Sequence, residues 1–161
     1  MFFASPTFGT IHVVLSFVGI LAGFAVLGGL LRGEIGRNGW THVFLWTKFW
    51  TSLSGFLFPF NGFTPAIGTG VVATLVMIPT LFAFYRFDLE GRWRRIYVIG
   101  AVVSLYLNTF VLVVQSFLKF PHLNALAPTG SEPAFAFVQG LVLVFFAVAG
   151  WRAVTRLGSA P

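Results

Sequence analysis

Lys48 is the ionisable residue whose position is hardest to explain, because it stands within a long apolar and aromatic stretch. A charged side chain at the centre of a bilayer costs at least about 2.5 kcal/mol. Lys48 lies eight residues after Trp40, or about 12 Å along a helix. Two interpretations are open. The side chain extends to the nearer membrane surface, or it is a buried cation that binds an anionic head group, a carboxylate or a quinone oxygen.

Five further polar side chains stand in apolar segments and could donate or accept hydrogen bonds from a ligand. Four of them are expected at similar depths, so they could line one cavity for a lipid-soluble molecule such as a quinone or isoprenoid. Such cavities are mostly apolar, with a few convergent polar groups. Hydrogen bonds between helices would use the same residues, and both interpretations stay open. The candidates are His12, Ser16, Gln115 and Gln139, with Asn108 as the fifth.

Several kinds of chemistry are not indicated by this sequence. The chain contains no Cys, so it offers no thiolate metal site or thiol redox centre. No paired carboxylates, nucleophile–base pair or phosphate-binding loop stands out. Haem needs two axial ligands at one depth, but His12 and His42 lie a full segment apart, and only His12 with His122 stays possible. The sequence therefore indicates no metal site, argues against haem and against an enzyme while leaving both open, and allows a quinone or lipid as a cofactor.

Lys48 and the five polar candidates lie in segments so apolar that they need lipid as a solvent. The chain has 161 residues, 57% hydrophobic and 9% charged, with a mean hydropathy of +0.90. A helix needs roughly 20 apolar residues to cross a bilayer, and five segments meet this length. We predict a single all-α domain of five transmembrane helices. The predicted spans are Thr10–Leu31, Thr41–Phe60, Pro65–Tyr85, Ile96–Leu118 and Ala134–Trp151.

The basic residues predict how these helices are oriented. Lys and Arg mark cytoplasmic loops, and they alternate along the chain as five spans require, with the N-terminus outside and the C-terminus in the cytoplasm. The net charge of +6 follows from this topology, and no dense basic run indicates nucleic-acid binding. Trp and Tyr prefer the membrane interface. Those at the predicted cytoplasmic ends are Trp40, Tyr85, Trp93, Tyr97 and Trp151.

Small and polar residues predict the packing faces. Ser16, Gly19 and Gly23 recur at intervals of three and four, which lets another backbone approach closely. The partner is either a helix of this chain or another subunit. Two polar stripes should face the bundle interior. They consist of Thr47, Thr51 and Ser54 in the second span and Ser104, Asn108 and Gln115 in the fourth.

Two connections have turn chemistry of their own. Residues 59–65 combine Pro, Asn-Gly and Thr-Pro, which predicts a tight hairpin between the second and third spans. The connection 119–133 contains three Pro and is expected to lie across the outer surface. Ser131 is expected to cap the last helix.

Two segments carry a resemblance to a known family. Thr51–Ala66 reads TSLSGFLFPFNGFTPA, and Tyr106–Phe135 reads YLNTFVLVVQSFLKFPHLNALAPTGSEPAF. Over these segments the chain resembles a family of small, uncharacterised polytopic membrane proteins of bacteria. The resemblance implies a multi-pass protein of the bacterial inner (plasma) membrane. Lys48, with its neighbouring Trp residues, and Asn61 depart from that family's pattern.

Three functions remain as hypotheses. The first is a structural or accessory subunit that packs in a membrane complex or homo-oligomer through the Gly19 and Gly23 face or through its many Phe. The second is a binding protein or accessory for a lipid-soluble quinone or isoprenoid, with a pocket open to the outer leaflet. A transporter or channel has less support, because the sequence shows no inverted repeat and no intramembrane acid. Lipids and other membrane subunits, or a second copy, are the expected partners.

Overall fold

The computed structural model describes residues 5–58 and 65–157, which are mostly helical and contain no strand. The predicted all-α class is confirmed. Most connections between the described helices are short. The helices are α1 (Pro6–Leu31), α2 (Gly39–Gly55), α3 (Pro65–Tyr85), α4 (Arg92–Lys119), α5 (Pro121–Leu126) and α6 (Pro133–Arg156).

Four of the described helices are long and apolar enough to cross a membrane. They are α1, α4, α6 and, within α3, residues 67–85. The structure therefore agrees with the membrane protein predicted from composition. Helix α2 has 17 residues and is about 26 Å long, slightly less than the hydrocarbon core of about 30 Å. Helix length therefore supports four crossings, and α2 is slightly too short to be counted as a fifth on length alone.

Capping residues set the first two helix starts, which differ from the predicted spans. Helix α1 begins at Pro6 instead of Thr10, because the Ser5 hydroxyl accepts a hydrogen bond from the Phe8 N–H at 3.2 Å. Helix α2 begins at Gly39, where the Asn38 side chain accepts from the Thr41 N–H at 3.1 Å. It ends at Gly55 and not at residue 60. Most of the predicted hairpin, residues 59–64, lies outside the described residues.

The later helices include charged residues that the predicted spans left out. Helix α3 has the predicted bounds, whereas α4 begins at Arg92 instead of Ile96, and α6 continues past Trp151 to Arg156. Helical hydrogen bonding does not stop where the apolar segment stops, so arginines can extend a helix beyond the hydrocarbon layer.

The connection between α4 and α6 contains the short helix α5. Ser131 is not the N-cap of α6, because Glu132 holds that position. The Glu132 carboxylate instead accepts hydrogen bonds from the N–H groups of Thr129 and Ser131, both at 3.0 Å. The expected Ser131 cap is therefore wrong by one residue.

Neighbouring long helices pack antiparallel. The start of α1 meets the end of α2 at His12 and Ser54, whose side chains hydrogen-bond at 2.8 Å. Farther along the pair, Gly23 lies against the ring of Phe44. These contacts at two levels show that α2 returns alongside α1 over most of its own length.

The later long helices also pack antiparallel to their neighbours. Rings of Phe84 and Tyr97 join the end of α3 to the start of α4 at 5.5 Å, and Phe117 and Phe135 join the end of α4 to the start of α6 at 5.4 Å. One end of the bundle thus carries the α1–α2 and α3–α4 connections and the end of α6. We call it the arginine end, because eight of the ten Lys and Arg lie there.

Candidate functional site

Lys48 lies inside the bundle. It is the tenth residue of α2, and only 3% of it is exposed. Its Nζ donates a hydrogen bond to Asn108 Oδ1 on α4 at 3.0 Å. The side chain therefore points across the interior and does not extend to the membrane surface. The first interpretation of Lys48 is wrong, because its amino group is buried among the helices.

Helix α1 completes the surroundings of this pair. The Asn108 Nδ2 group is 3.5 Å from the Ser16 carbonyl oxygen, a long and weak hydrogen bond. A Cβ atom at Gly19 would lie 3.0 Å from Thr47 Oγ1 and 3.5 Å from Asn108 Nδ2. Gly19 is therefore the position that lets α2 and α4 both approach α1 beside Lys48.

The small-residue face predicted in α1 is used within the chain. A Cβ at Gly23 would lie 2.6 Å from Leu105 Cδ1 and 2.9 Å from Phe44 Cε2. Both Gly19 and Gly23 are buried, and Ser16 is half-buried with its hydroxyl bonded to the His12 carbonyl at 2.9 Å. The alternative, in which this face receives another subunit, is excluded because α2 and α4 already cover it.

No acidic side chain of this chain neutralises Lys48. The sequence has four acidic residues, and none lies within a helix: Glu34, Asp88, Glu90 and Glu132. Glu34 forms an ion pair with Arg32, and Asp88 forms one with Arg37, both on the exposed surface. An ammonium group in the interior thus has a neutral amide as its hydrogen-bond partner, and an opposite charge would have to come from outside the chain.

Hydroxyl groups one turn from this pair have no hydrogen-bond partner. Thr51 follows Lys48 on α2 and Ser104 precedes Asn108 on α4, and the hydroxyl of each is buried and unsatisfied. Thr51 and Ser104 are 6% and 0% exposed. Buried polar atoms normally bond to protein, water or a bound group, so these two hydroxyls are unused hydrogen-bonding groups in the interior, one turn to either side of the Lys48–Asn108 pair. The inward orientation predicted for the two polar stripes is confirmed at Thr51, Ser104 and Asn108.

The remaining candidate residues lie in two other places. His12 hydrogen-bonds to Ser54 where α1 contacts α2. This contact lies farther from the arginine end than Lys48 does. Gln139 belongs to α6, and its Nε2 donates to the Phe110 carbonyl of α4 at 3.1 Å. Gln115 is half-buried on α4. The structure therefore joins Ser16 and Asn108 to Lys48, but it shows Gln139 in a separate α4–α6 contact.

Sequence reasoning missed a cavity of about 370 Å³ at the arginine end. It is lined by the last turns of α1, the start of α2 and Tyr97 of α4. Tyr97 was predicted to lie at the membrane interface, but it is 1% exposed and packs on Phe84. The glycines at 28, 29 and 36 were the available signal, because glycines leave space where two elements meet.

No family model, curated protein or solved structure compared with the chain matches it. The functional argument therefore depends on the geometry of the residues themselves.

Proposed function

We propose that this protein crosses the bacterial inner membrane five times, with α2 as the fifth crossing. The support is the antiparallel packing of α2 on α1, from His12 and Ser54 at one level to Gly23 and Phe44 at another. A helix that returns alongside a membrane-spanning helix occupies the same layer. Its length of about 26 Å is compatible with modest local thinning of the bilayer.

The proposed orientation places the arginine end in the cytoplasm. Eight of the ten basic residues lie at that end, as expected for cytoplasmic loops. Trp40 and Trp151, both largely exposed there, are suited to the interface between lipid and water. The N-terminus is then outside and the C-terminus inside.

We infer that the protein binds a lipid-soluble molecule whose head group presents an anionic or carbonyl oxygen to Lys48. The observation that carries this inference is the burial of Lys48 without a carboxylate of its own chain. An uncompensated buried charge lowers stability, and ionisable groups within the membrane generally mark functional sites.

The surroundings of Lys48 favour an oxygen-rich head group. The ammonium, the Asn108 amide and the hydroxyls of Thr51 and Ser104 can all donate hydrogen bonds. A carboxylate or a quinone carbonyl would accept from the Lys48 ammonium, with the Thr51 or Ser104 hydroxyl one turn to either side, while the apolar tail would lie among the Phe and Leu side chains of the bundle. The quinone or isoprenoid ligand of the second hypothesis would therefore bind to Lys48, and not in a pocket formed by His12 and Gln139.

Lys48→Met tests this inference, because Met keeps the apolar stem and removes the charge. In the absence of a ligand we expect the variant to be at least as stable as the original protein, because removing an ammonium that no carboxylate neutralises offsets the cost of leaving Asn108 Oδ1 unpaired. The matched control is Lys119→Met, since Lys119 is exposed in the last turn of α4. Stability would be measured by thermal unfolding in nanodiscs, with and without a short-chain quinone or a long-chain fatty acid.

The two outcomes separate binding from a structural role. The proposal requires that a probe raises the unfolding temperature of the original protein and of Lys119→Met, but not that of Lys48→Met. If Lys48→Met is less stable than the original protein, and the probes act equally on all three proteins, Lys48 serves only to hold α2 against α4. The binding inference is then wrong.

A structural or accessory role is the second candidate, favoured by the exposure of α6. Only three residues of this helix are buried: Phe146, Ala149 and Ala153. Its outer face carries Phe137, Leu141, Val144 and Trp151, all more than half exposed. Cross-linking in native membranes from a photoreactive residue at position 144 would support this role if a protein adduct forms, and lipid adducts alone would count against it.

A further inference from the structure

The cavity at the arginine end is built around glycines. Gly28 and Gly29 in the last turns of α1 form one wall, and Asn38 and Trp40 at the start of α2 form another. Its volume of about 370 Å³ lies within the range of small-molecule sites. A Cβ at Gly28 would meet only Arg32 Nη1, at 3.7 Å, so the space beside this glycine is unoccupied by other side chains.

The lining of this cavity combines the Arg32–Glu34 ion pair with aromatic and polar groups. Arg32 lines the cavity, and its guanidinium contacts Glu34 at 3.3 Å. Both side chains of this pair are about two-thirds exposed, at 65% and 62%. An ion pair so accessible to water contributes at most about 1 kcal/mol. The Arg32 guanidinium is therefore accessible to a second anion, such as a phosphodiester, that can take the place of the Glu34 carboxylate.

The cavity also has an apolar side. Phe24 of α1 lines it and is 40% exposed, and Trp40 lines it and is 60% exposed. Phe24 lies two turns before the end of a membrane-spanning helix, whereas Arg32 follows that end. One molecule in the cavity would thus contact an apolar surface at one level and a guanidinium at the next.

We propose that this cavity binds the phosphate head group of an anionic phospholipid. The guanidinium of Arg32 receives the phosphate, since Arg matches phosphate oxygens with two parallel hydrogen bonds. The glycerol region lies beside Gly28 and Gly29, and an acyl chain continues along Phe24. The positive charge of the arginine end attracts the same anionic lipids to this surface. The site is distinct from Lys48 and does not depend on the function proposed for it.

Gly28→Leu tests the cavity, because the new side chain would fill it without a clash at Cβ. The matched control is Gly140→Leu in α6, where a Cβ would meet nothing within 4 Å. Arg32→Gln tests the charge, with Arg94→Gln as its control, since Arg94 is exposed at the same end but does not line the cavity. Each protein would be placed in nanodiscs of phosphatidylglycerol and phosphatidylcholine and analysed by native mass spectrometry after removal of the bulk lipid.

The expected result is one phosphatidylglycerol retained by the original protein and by both controls. Retention should fall about tenfold in Gly28→Leu and in Arg32→Gln, through loss of space in one and of a charge-assisted hydrogen bond in the other. Unfolding temperatures measured in parallel would show that Gly28→Leu is folded. A Lys48→Met protein should retain the lipid, so failure here and failure of the Lys48 inference are distinguishable.

Three results would overturn the proposal. The first is full retention by Gly28→Leu, which would mean that the lipid lies elsewhere. The second is equal retention of phosphatidylcholine, which would remove the requirement for an anionic head group. The third is displacement of the lipid by millimolar inorganic phosphate, which would make free phosphate the ligand.

Discussion

A single hydrogen bond to Asn108 is the strongest interaction that the described residues offer Lys48. The bond joins α2 to α4 through the long Lys side chain. It depends on glycine at position 19, since a larger residue there would press on both Thr47 and Asn108. The chemistry of Lys48 therefore rests on residues from three helices.

Asn108→Leu should strongly destabilise the protein, because it leaves the buried ammonium without a partner. Leaving a buried charged donor without its hydrogen-bond partner costs more than the roughly 1 to 3 kcal/mol of a neutral group. Adding Lys48→Met to Asn108→Leu should restore most of that loss, since no polar group is then left unpaired. Unfolding of the four proteins of this cycle by denaturant in mild detergent would measure the coupling. Additive effects of the two substitutions would show that the Lys48–Asn108 contact contributes nothing to stability.

At the scale of the helices, close packing of α3 on α4 depends on Gly100. A Cβ at this position would overlap the hydroxyl of Thr80, and Thr80 is fully buried. The Thr80 hydroxyl is fixed by a hydrogen bond to the Val76 carbonyl at 2.7 Å. The Thr80 hydroxyl therefore cannot turn away from a new side chain at position 100 without losing this hydrogen bond.

Gly100→Ala should destabilise the protein by about 1 to 3 kcal/mol, as expected for overpacking in a dense interior. Gly140→Ala is the control, because a Cβ there meets open space and Ala is the better helix former. Thermal unfolding would compare the two. Equal stability of both variants would mean that α3 and α4 adjust freely at their crossing. Partial recovery in the Gly100→Ala, Thr80→Ala double variant would identify Thr80 as the obstacle.

The connection before α6 is held by one carboxylate. Desolvation would raise the pKa of Glu132, but hydrogen bonds from the backbone and hydroxyl of Thr129 and the N–H of Ser131 outweigh it, so the pKa lies below its ordinary value. A lowered pKa means that the connection is stabilised above the ordinary pKa and loses this stabilisation as the pH falls through the lowered value.

Amide hydrogen exchange would detect this change in the connection. Protection of the Thr129 and Ser131 amides should persist at neutral pH and disappear as the pH falls below the ordinary range of a Glu carboxyl, through its lowered pKa. Glu132→Gln should lack this pH dependence, while the amides of α4 serve as an internal reference. Unchanged protection in acid would show that the carboxylate does not hold the connection.

At the scale of the whole molecule, the number of crossings separates two topologies. With five crossings, the α1–α2 and α2–α3 connections lie on opposite sides of the membrane. If α2 does not cross, both lie on the same side. The chain has no Cys, so single cysteines can be introduced without removing others.

Glu34→Cys and Leu57→Cys test the topology in intact cells or right-side-out vesicles. We expect an impermeant maleimide to label Leu57→Cys from outside and Glu34→Cys only after the membrane is permeabilised. Both residues are exposed, so lack of labelling would not result from burial. Labelling of both cysteines from the same side would leave α2 as a helix that does not cross.

Several features of this protein are local properties, and the sequence alone predicted them. Helix type and membrane character follow from apolar segment length and composition, and α3 has its predicted bounds. The position of acidic residues outside the helices is also readable from sequence. Helix ends were less accurate where a cap such as Ser5 or Asn38 set the start, because a cap depends on local backbone geometry.

Only the tertiary structure decided which residues meet. The sequence allowed Lys48 to extend to the surface or to be buried, and it allowed the Gly19 and Gly23 face to receive another subunit. The choice depends on the lateral placement of α1 and α4 relative to α2, which no periodicity within one helix specifies. The cavity beside Gly28 has the same origin, since empty space arises between elements. Packing of distant segments, more than the character of any one segment, therefore determined both proposed sites.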